Sequence, residues 1–234
     1  MTPQPARGRL IVLEGPEGAG KSTQLGRLAD WLGARGRPPR VVREPGTSAV
    51  GQEIRRLLLD PVHDVAPAAE ALLFMAARAQ LVARELGPAL EAGETVLADR
   101  FFLSTYAYQI GGRGLPEDEV RAANRLATHG LVPDVTLLLR VPPELGLERA
   151  LRRGGPDRIE QAGSAFHARV AAAFDRFAEP AWQAAHPEVG PIVAVDGTGD
   201  ELTVFGRVIR GITAHWPALA GSEAGTGAGT GRGA

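Results

Sequence analysis

The chain has 234 residues, with 26 basic and 27 acidic side chains that give a formal net charge of −1. We expect no nucleic-acid partner and no membrane partner, because a near-neutral chain has no overall basic field and no apolar run reaches membrane-spanning length. The absence of cysteine excludes disulfides, thiolate metal sites and cysteine nucleophiles. The N-terminal segment lacks the pattern of a secretory signal, and we expect a cytoplasmic protein.

Short apolar runs alternate with longer segments that carry apolar residues at every third or fourth position. The runs predict strands at 10–13, 40–43, 95–98, 135–139 and 192–195. The longer segments predict helices at 22–34, 52–59, 68–90, 117–127, 144–152, 165–182 and 202–212. Four of the five strands are near-continuous runs of Val, Ile and Leu, which is typical of parallel strands covered on both faces.

This alternation predicts one α/β domain over residues 9–216, with a five-stranded parallel sheet between two layers of helices. We expect residues 1–8 to form a flexible N-terminus. We expect residues 217–234 to form a disordered Gly/Ala-rich tail, because segment 220–234 contains only Ala, Gly, Ser, Thr, Glu and Arg and cannot bury a core.

The first predicted strand leads into the pattern GxxxxGK[ST] at residues 15–22, directly before a predicted helix. In such a P-loop, backbone N–H groups surround phosphate oxygens, the Lys reaches the β- and γ-phosphates, and the Ser hydroxyl ligates Mg²⁺. Lys21 is also the only Lys among the 26 basic residues, and Arg cannot replace a compact ammonium in a closed phosphate cradle. A chance Gly-rich turn is the alternative. The predicted nucleotide-binding residues are Gly15, Pro16, Glu17, Gly18, Ala19, Gly20, Lys21, Ser22 and Thr23.

Further motifs follow the later strands, where ligands of open α/β sheets bind, or lie between them. They are REPG at 43–46, LLFMAARAQ at 72–80, DRF at 99–101, STYAYQ at 104–109, GGRG at 111–114, DRIE at 157–160 and FHARV at 166–170. With the acidic Glu17 in the P-loop, this set resembles the thymidylate kinase family in order and spacing over residues 9–216.

The resemblance implies a P-loop kinase with a lid that transfers the γ-phosphoryl group of ATP to dTMP, giving ADP and dTDP for dTTP synthesis. It also implies Mg²⁺ as cofactor, small-molecule nucleotides as partners, ATP at the P-loop, and a homodimer. The acceptor oxygen belongs to a phosphate that is already ionised, so the reaction requires no general base. Alignment of the reactants and stabilisation of charge would supply the catalysis.

Roles in acceptor binding are likewise implied by the resemblance. Arg43 and Arg100 would clamp the monophosphate, for which the planar guanidinium is suited, with surface ion pairing as the alternative. Glu17 would organise the acceptor sugar and nearby Arg side chains. Polar residues that follow the third strand would read the base. The residues implied in dTMP binding are Glu17, Arg43, Phe74, Arg78, Arg100, Ser104, Thr105, Tyr108 and Gln109.

Two of these residues also have ordinary structural interpretations. Phe74 would stack on the thymine ring, with Arg78 on the same helical face bonding the edge of the base, but a lone aromatic in an apolar helix is more often core. Tyr108 would lie beneath the deoxyribose and disfavour a 2′-hydroxyl. Its alternative is a buried ring whose hydroxyl is bonded to the backbone.

Metal binding and catalysis involve two further groups of residues. Ser22 and Asp99 would hold Mg²⁺, Asp99 through water, although Asp99 could also cap a helix. One class of the family places an Arg at the position of Gly18, and sequences without it resemble the bacterial class that supplies catalytic Arg residues from the lid. The implied catalytic residues are Lys21, Asp99, Arg100, Arg153 and Arg158.

The lid prediction depends on an Arg-dense segment at 149–158, called the lid segment below. Arg149, Arg152 and Arg153 have helical spacing and could share one face, although a solvated basic face is the usual interpretation of such a pattern. Gly154 and Gly155 form a predicted hinge.

The sequence departs from the family pattern at three positions, with Thr47 for Gly, Ala77 for Asp or Asn, and Phe101 for Tyr. Thr47 would be strained if its backbone needed a positive φ. Two alternatives stay open, and these departures bear on the first. One is a kinase of another deoxypyrimidine monophosphate, such as dUMP or a 5-modified dUMP, and the other is a non-catalytic nucleotide-binding paralogue.

Overall fold

A computed structural model of the chain describes residues 7–152 and 157–219. Within them lies one five-stranded sheet in the order β2-β3-β1-β4-β5, and all its neighbouring strands are parallel. This confirms the predicted α/β/α fold. The strands are β1 Leu10–Glu14, β2 Arg40–Arg43, β3 Val96–Asp99, β4 Val135–Arg140 and β5 Ile192–Asp196.

Helices cover both faces of the sheet. They are α1 Lys21–Gly33, α2 Ala49–Leu59, α3 Pro67–Leu81, α4 Gly87–Glu91, α5 Phe102–Thr105, α6 Glu117–Thr128, α7 Pro143–Leu151, α8 Ser164–Phe177, α9 Pro180–Ala185 and α10 Glu201–His215. Two π-helical segments, Val82–Leu86 and Tyr106–Gly112, continue α3 and α5. Short 3₁₀ turns lie at Glu160–Ala162, Pro187–Val189 and Pro217–Leu219.

One predicted helix is interrupted. The sequence pattern predicts a single helix over 165–182, but the structure has α8 and α9 with a break between them. Glu179 adopts an extended conformation there, because Pro180 disfavours the helical conformation of the residue before it. Pro180 itself fits the first turn of α9, where the missing N–H has no helical partner to lose.

The central strand β1 separates two apolar clusters. Leu10 and Val12 belong to the cluster that packs beneath α3 and α8, and Ile11 and Leu13 face the cluster of α1 and α10. All of β1 is buried, as expected for a parallel strand covered on both faces. The edge strand β5 departs from that expectation, because its first three residues are half-buried or exposed.

The packed part of the chain extends slightly beyond 9–216. The Gly8 N–H donates to the carbonyl of Leu90 at 2.7 Å. The Arg9 guanidinium lies 4.2 Å from the ring centroid of Trp216, and Leu219 is buried. The rest of the predicted terminal segments, 1–6 and 220–234, lies outside the described residues. No helix within 7–152 and 157–219 is long and apolar enough to span a membrane.

Candidate active site

A cavity of about 270 Å³ opens at the C-terminal ends of β1, β2 and β3, next to α3 and the π-helical segment Tyr106–Gly112. All nine residues predicted to bind the acceptor line it, together with Asp99 and the P-loop residues Gly18, Gly20, Lys21, Ser22 and Thr23. The fold therefore brings the predicted acceptor residues together although they are up to 92 positions apart in the chain, from Glu17 to Gln109. Lining residues to which the sequence analysis assigned no role of their own are Glu44, Pro45, Arg55, Leu59, Asp157, Ile159 and Glu160.

The P-loop conformation requires its glycines. Gly15, Gly18 and Gly20 have φ values of 141°, 70° and 87°, a region that residues with a side chain rarely adopt. At Gly18 a Cβ atom would also lie 1.9 Å from the carbonyl oxygen of Gly146 in α7. Because α7 leads into the lid segment and packs directly on the loop, a side chain at this position would displace it.

Lys21 is buried at the centre of the P-loop. Its ammonium donates to the carbonyl oxygens of Gly15 at 3.0 Å and Pro16 at 2.8 Å. Burial and the positive charge of Arg100 lower its pKa to about 8, against the opposing effect of neighbouring carboxylates. The site therefore stabilises the charged form of the Lys21 amine only weakly. A further anion in the cavity would stabilise that form more strongly.

Ser22 and Asp99 lie side by side where α1 begins and β3 ends. The Ser22 hydroxyl donates to Asp99 Oδ2 at 2.6 Å, and Arg43 Nε lies 3.8 Å from the same oxygen. Asp99 does not cap a helix, because α5 begins at Phe102 and has no side-chain cap; that alternative is wrong. A hydroxyl and a carboxylate oxygen together fit Mg²⁺, which binds few protein ligands and takes the rest from phosphates and water.

Glu14 fixes the loop that follows β3. Its fully buried carboxylate accepts hydrogen bonds from the N–H of Phe101 at 2.8 Å, the N–H of Ser104 at 3.1 Å and the Ser104 hydroxyl at 2.6 Å. Burial raises the pKa of Glu14, whereas Arg100 and these hydrogen bonds lower it. Arg100 has a φ of 71°, which is strained for a residue with a side chain.

Arg100, Glu17 and Tyr108 form a polar group on the wall of the cavity. Arg100 pairs with Glu17 and also donates to the Ser104 hydroxyl at 2.8 Å. The Tyr108 hydroxyl donates to Glu17 Oε1 at 3.1 Å, so the alternative of a backbone partner for this hydroxyl is wrong. Burial raises the pKa of Tyr108, which keeps the phenol a hydrogen-bond donor.

Arg78 is almost completely buried and ion-paired with Glu44, which is itself buried. Its guanidinium also donates to Asn124 Oδ1 at 2.5 Å and to the Thr105 hydroxyl at 2.8 Å. Burial raises the pKa of Glu44, and Arg78 opposes that shift. Phe74, one turn earlier on α3, is half-buried and both packs on the core and lines the cavity.

Arg158, the last residue of the lid segment, is bonded to the end of α2 and to α3. Arg158 Nε donates to the carbonyl of Leu58 at 2.7 Å, and Arg158 Nη2 donates to Glu70 Oε2 at 2.6 Å. Arg158 does not line the cavity, whereas its neighbour Asp157 does. Gln109 does line the cavity, and its Nε2 also donates to Glu70, at 3.0 Å from Oε1.

Arg149 and Arg152 have different partners. Arg149 donates to the carbonyls of Gly197 and Gly199, both at 3.1 Å, and Arg152 pairs with Glu148 on the surface. The common face of two or three guanidiniums from Arg149, Arg152 and Arg153 stays a prediction. Arg153, Gly154 and Gly155 lie outside the described residues.

The loop after β2 accommodates Thr47 without strain. Among the described residues, only Arg100 and His129 have a positive φ without being glycine. The Thr47 hydroxyl accepts from the Arg43 N–H at 2.7 Å and donates to the Arg43 carbonyl at 3.1 Å. Thr47 thus closes the loop that carries Arg43.

Comparison with known proteins agrees with this geometry. The family model described as thymidylate kinase matches residues 13–186. The chain belongs to the thymidylate kinase family. It is 47% identical to the thymidylate kinase of Deinococcus radiodurans over 196 residues, which cover 84% of this chain and 92% of that protein. It is 44% identical to the thymidylate kinase of Desulfosudis oleivorans over 203 residues, which cover 86% and 95% of the two chains.

One cation of this thymidylate kinase-family site escaped the sequence analysis. Arg55 on α2 lines the cavity and donates to the Pro45 carbonyl at 3.1 Å. Burial lowers its pKa, and so do the positive charges of Arg43 and Arg100, which indicates a cluster of like charges. The sequence signal for Arg55 was its position on α2, the first helix after the loop that carries Arg43.

The buried Glu44–Arg78 pair gives a test of the site's stability. We expect Glu44→Ala to lower the free energy of unfolding by about 3–5 kcal/mol, because Arg78 would keep its charge without its carboxylate. Glu148→Ala, which removes the exposed partner of Arg152, is the matched control and should cost less than about 1 kcal/mol. Denaturant unfolding measures both values, and equal losses in the two variants would contradict the prediction.

Proposed function

We propose that the chain is an ATP-dependent enzyme that phosphorylates dTMP to dTDP for dTTP synthesis. The main support for this proposal is that P-loop residues and the predicted acceptor residues line the same cavity. Membership of the thymidylate kinase family supports the same reaction. Because both substrates belong to the cytoplasmic nucleotide pool, the proposal includes a cytoplasmic location.

The acceptor base is proposed to lie against Phe74, with Arg78 at its edge. Arg78 is held in place by Glu44, Asn124 and Thr105, so its direction is fixed before the base arrives. Such preorganisation avoids the entropy cost of ordering a long side chain during binding. We propose Gln109 as a second polar group that reads the base, and Tyr108 with Glu17 as the surface beneath the deoxyribose. Ser104 and Thr105 act mainly by holding Arg100 and Arg78.

Four cations surround the position proposed for the reacting phosphates. Lys21, Arg43, Arg55 and Arg100 all line the cavity. They would attract the two anionic substrates, align them and stabilise charge that develops on the transferring phosphoryl group. The acceptor oxygen is already ionised, so no general base is needed and none is assigned. This arrangement disfavours the non-catalytic paralogue, which has no need of the whole set.

Mg²⁺ is the proposed cofactor, with Ser22 and Asp99 as its protein-side ligands. No group of three or more His, Cys, Asp or Glu side chains in 7–152 and 157–219 could hold a metal alone. The donors present therefore suit an ion that arrives with a triphosphate. When bound, Mg²⁺ supplies neutralisation of phosphate charge. Ser22 and Asp99 would hold the ion, Asp99 through water, and Lys21 would contact the phosphates directly.

Arg153 and Arg158 are the proposed lid residues that add positive charge during transfer. Loss of such an Arg in related enzymes costs on the order of 10³–10⁵ in turnover. For direct contact with the phosphates, Arg158 must leave Glu70 and the Leu58 carbonyl. Closure of the lid segment would also exclude water, the competing acceptor.

A homodimer is the proposed assembly, and exposed apolar side chains support it. Leu72 on α3 and Leu126 on α6 are 62% and 76% exposed, and Val50 and Leu57 on α2 are also exposed. α3 packs between α2 and α6, so these residues belong to adjoining helices. An apolar surface of this kind marks an interaction site. A twofold interface would cover it with the same surface of a second copy.

Sedimentation tests the assembly. We expect the chain to sediment at about twice its 24.6 kDa mass at micromolar concentration. Leu72→Glu should give a folded monomer, because the interface would bury an uncompensated charge from each copy. Leu202→Glu on α10, where Leu202 is 68% exposed, is the matched control and should stay dimeric. A monomeric wild-type protein would contradict the proposal.

The reaction is tested with ATP, Mg²⁺ and six separate acceptors: dTMP, dUMP, UMP, dCMP, dGMP and AMP. Coupled ADP release should select dTMP, and chelation of Mg²⁺ should abolish turnover. Rejection of UMP relative to dUMP should weaken in Tyr108→Ala, because the ring no longer fills the space beneath the sugar. Preference for dUMP would favour the altered-pyrimidine alternative. ATP binding without turnover on any acceptor would favour the non-catalytic paralogue.

The lowered pKa of Lys21 predicts proton uptake on ATP binding. In the free protein a group with a pKa of about 8 is half-protonated at pH 8, and bound phosphate raises that pKa. We therefore expect uptake of about half a proton per site at pH 8 and little from this group at pH 6.5. Calorimetry in buffers of different ionisation enthalpy measures it. Lys21→Met should remove this contribution, and equal uptake in both proteins would assign the proton elsewhere.

A further inference from the structure

Glu70 is a completely buried carboxylate in the first turn of α3 that has no role in the phosphoryl transfer proposed above. It accepts four hydrogen bonds from three side chains, all of which are far from Glu70 in the sequence. With Glu70 itself, these residues are called the Glu70 cluster below. Its members are Glu70, Gln109, Arg113 and Arg158.

The geometry of the Glu70 cluster uses both carboxylate oxygens. Oε1 accepts from Gln109 Nε2 and Arg113 Nε, both at 3.0 Å. Oε2 accepts from Arg113 Nη2 at 2.9 Å and from Arg158 Nη2 at 2.6 Å. Burial raises the pKa of Glu70, but the hydrogen bonds from Arg113, Arg158 and Gln109 outweigh it and lower the pKa below its usual value. The carboxylate therefore stays ionised and accepts from all three partners at once.

Each partner connects Glu70 to a different part of the site. Gln109 lines the cavity next to Tyr108. Arg158 is the last residue of the lid segment and is bonded to the end of α2 through its own N–H and Nε. The Arg113 guanidinium lies 4.5 Å from the ring centroid of Phe166 in α8. One buried charge thus joins the wall of the cavity, the base of the lid segment and α8.

Glu70 also decides which end of the Gln109 amide faces it. An ionised carboxylate only accepts hydrogen bonds, so the amide must present its NH₂ group to Glu70. The Gln109 carbonyl oxygen is then at the opposite end of the amide. Without Glu70 the amide could rotate by half a turn, and a donor would replace this acceptor.

We propose that Glu70 is a positioning residue that couples recognition of the acceptor base to the position of Arg158, because one carboxylate holds Gln109 and Arg158 together. This inference rests on the proposed function. Gln109 matters only if a nucleotide base enters the cavity, and Arg158 matters only if the lid segment takes part in turnover.

Glu70→Gln tests the proposal with little change of shape. The new amide has one acceptor oxygen, and its NH₂ group faces guanidinium donors, so it cannot hold all three partners. We expect KM for dTMP to rise about tenfold and kcat to fall about tenfold, as for the loss of hydrogen bonds to a charged group. KM for ATP should change by less than about twofold, because Glu70 does not contact the P-loop.

Double-mutant cycles separate coupling from a general loss of structure. In a Gln109→Ala background, Glu70→Gln should change KM for dTMP by less than about twofold further. In an Arg158→Ala background, it should change kcat by less than about twofold further. Full additivity in both backgrounds would overturn the proposal. If Glu70→Gln does not fold, Gln109→Ala and Arg158→Ala are combined instead, and additive effects of those two substitutions on kcat/KM would overturn it equally.

Glu188→Gln is the matched structural control. Glu188 also has two side-chain partners, but it lies outside the cavity. Its Oε1 accepts from the Tyr106 hydroxyl at 3.1 Å and lies 2.8 Å from Arg121 Nε. This variant should lower thermal stability without changing either KM, and an equal KM effect in both variants would overturn the proposal. Wild-type turnover of dTMP is measured first. A wild-type protein without that activity refutes the proposed function, whereas an active one with additive cycles refutes only the role of Glu70.

Discussion

Buried carboxylates at the C-terminal edge of the sheet determine the geometry of the site. A buried negative charge is costly unless donors surround it, so each carboxylate fixes the residues that compensate it. Glu14 holds the loop after β3, Glu44 holds Arg78, and Glu70 holds Gln109 and Arg158. On the acceptor side of the cavity, side chains are therefore positioned by buried carboxylates and the donors that compensate them. Apolar packing contributes only beneath the cavity.

The two sides of the cavity differ in what orders them. On the donor side, backbone geometry dominates, since the positive φ angles of Gly15, Gly18 and Gly20 set the shape of the loop. On the acceptor side, side-chain networks dominate, with polar groups already paired within the protein. Both arrangements aim their groups before a nucleotide binds, which reduces the reorganisation needed for transfer.

Much of this organisation was readable from the sequence because the signals were local. Near-continuous apolar runs predicted the five strands, and the glycine pattern predicted the P-loop at its observed place. The break before α9 was also local, since Pro180 is visible in the sequence. The roles assigned to individual site residues stay predictions, although the fold brings the proposed acceptor residues to one cavity.

Partners distant in the chain could not be predicted. Arg78 was predicted to bond the edge of the base, but its pairing with Glu44 depends on how β2 and α3 meet in space. The same holds for Arg158 and Glu70, which are 88 positions apart. No spacing rule links such residues, and many of the 27 acidic side chains are equally plausible partners for an Arg when only the sequence is known. The position of Arg55 was missed for the same reason.

The single lysine has a chemical consequence of its own. Lys21 is the only side-chain amine in the chain, and burial lowers its pKa to about 8. Near that pH about half of it is a neutral amine, the form that attacks acyl donors. Apart from the terminal amino group, an amine-selective acylating reagent therefore has one target in the chain. Covalent modification of this protein by such a reagent reports directly on whether the phosphate cradle is open or filled.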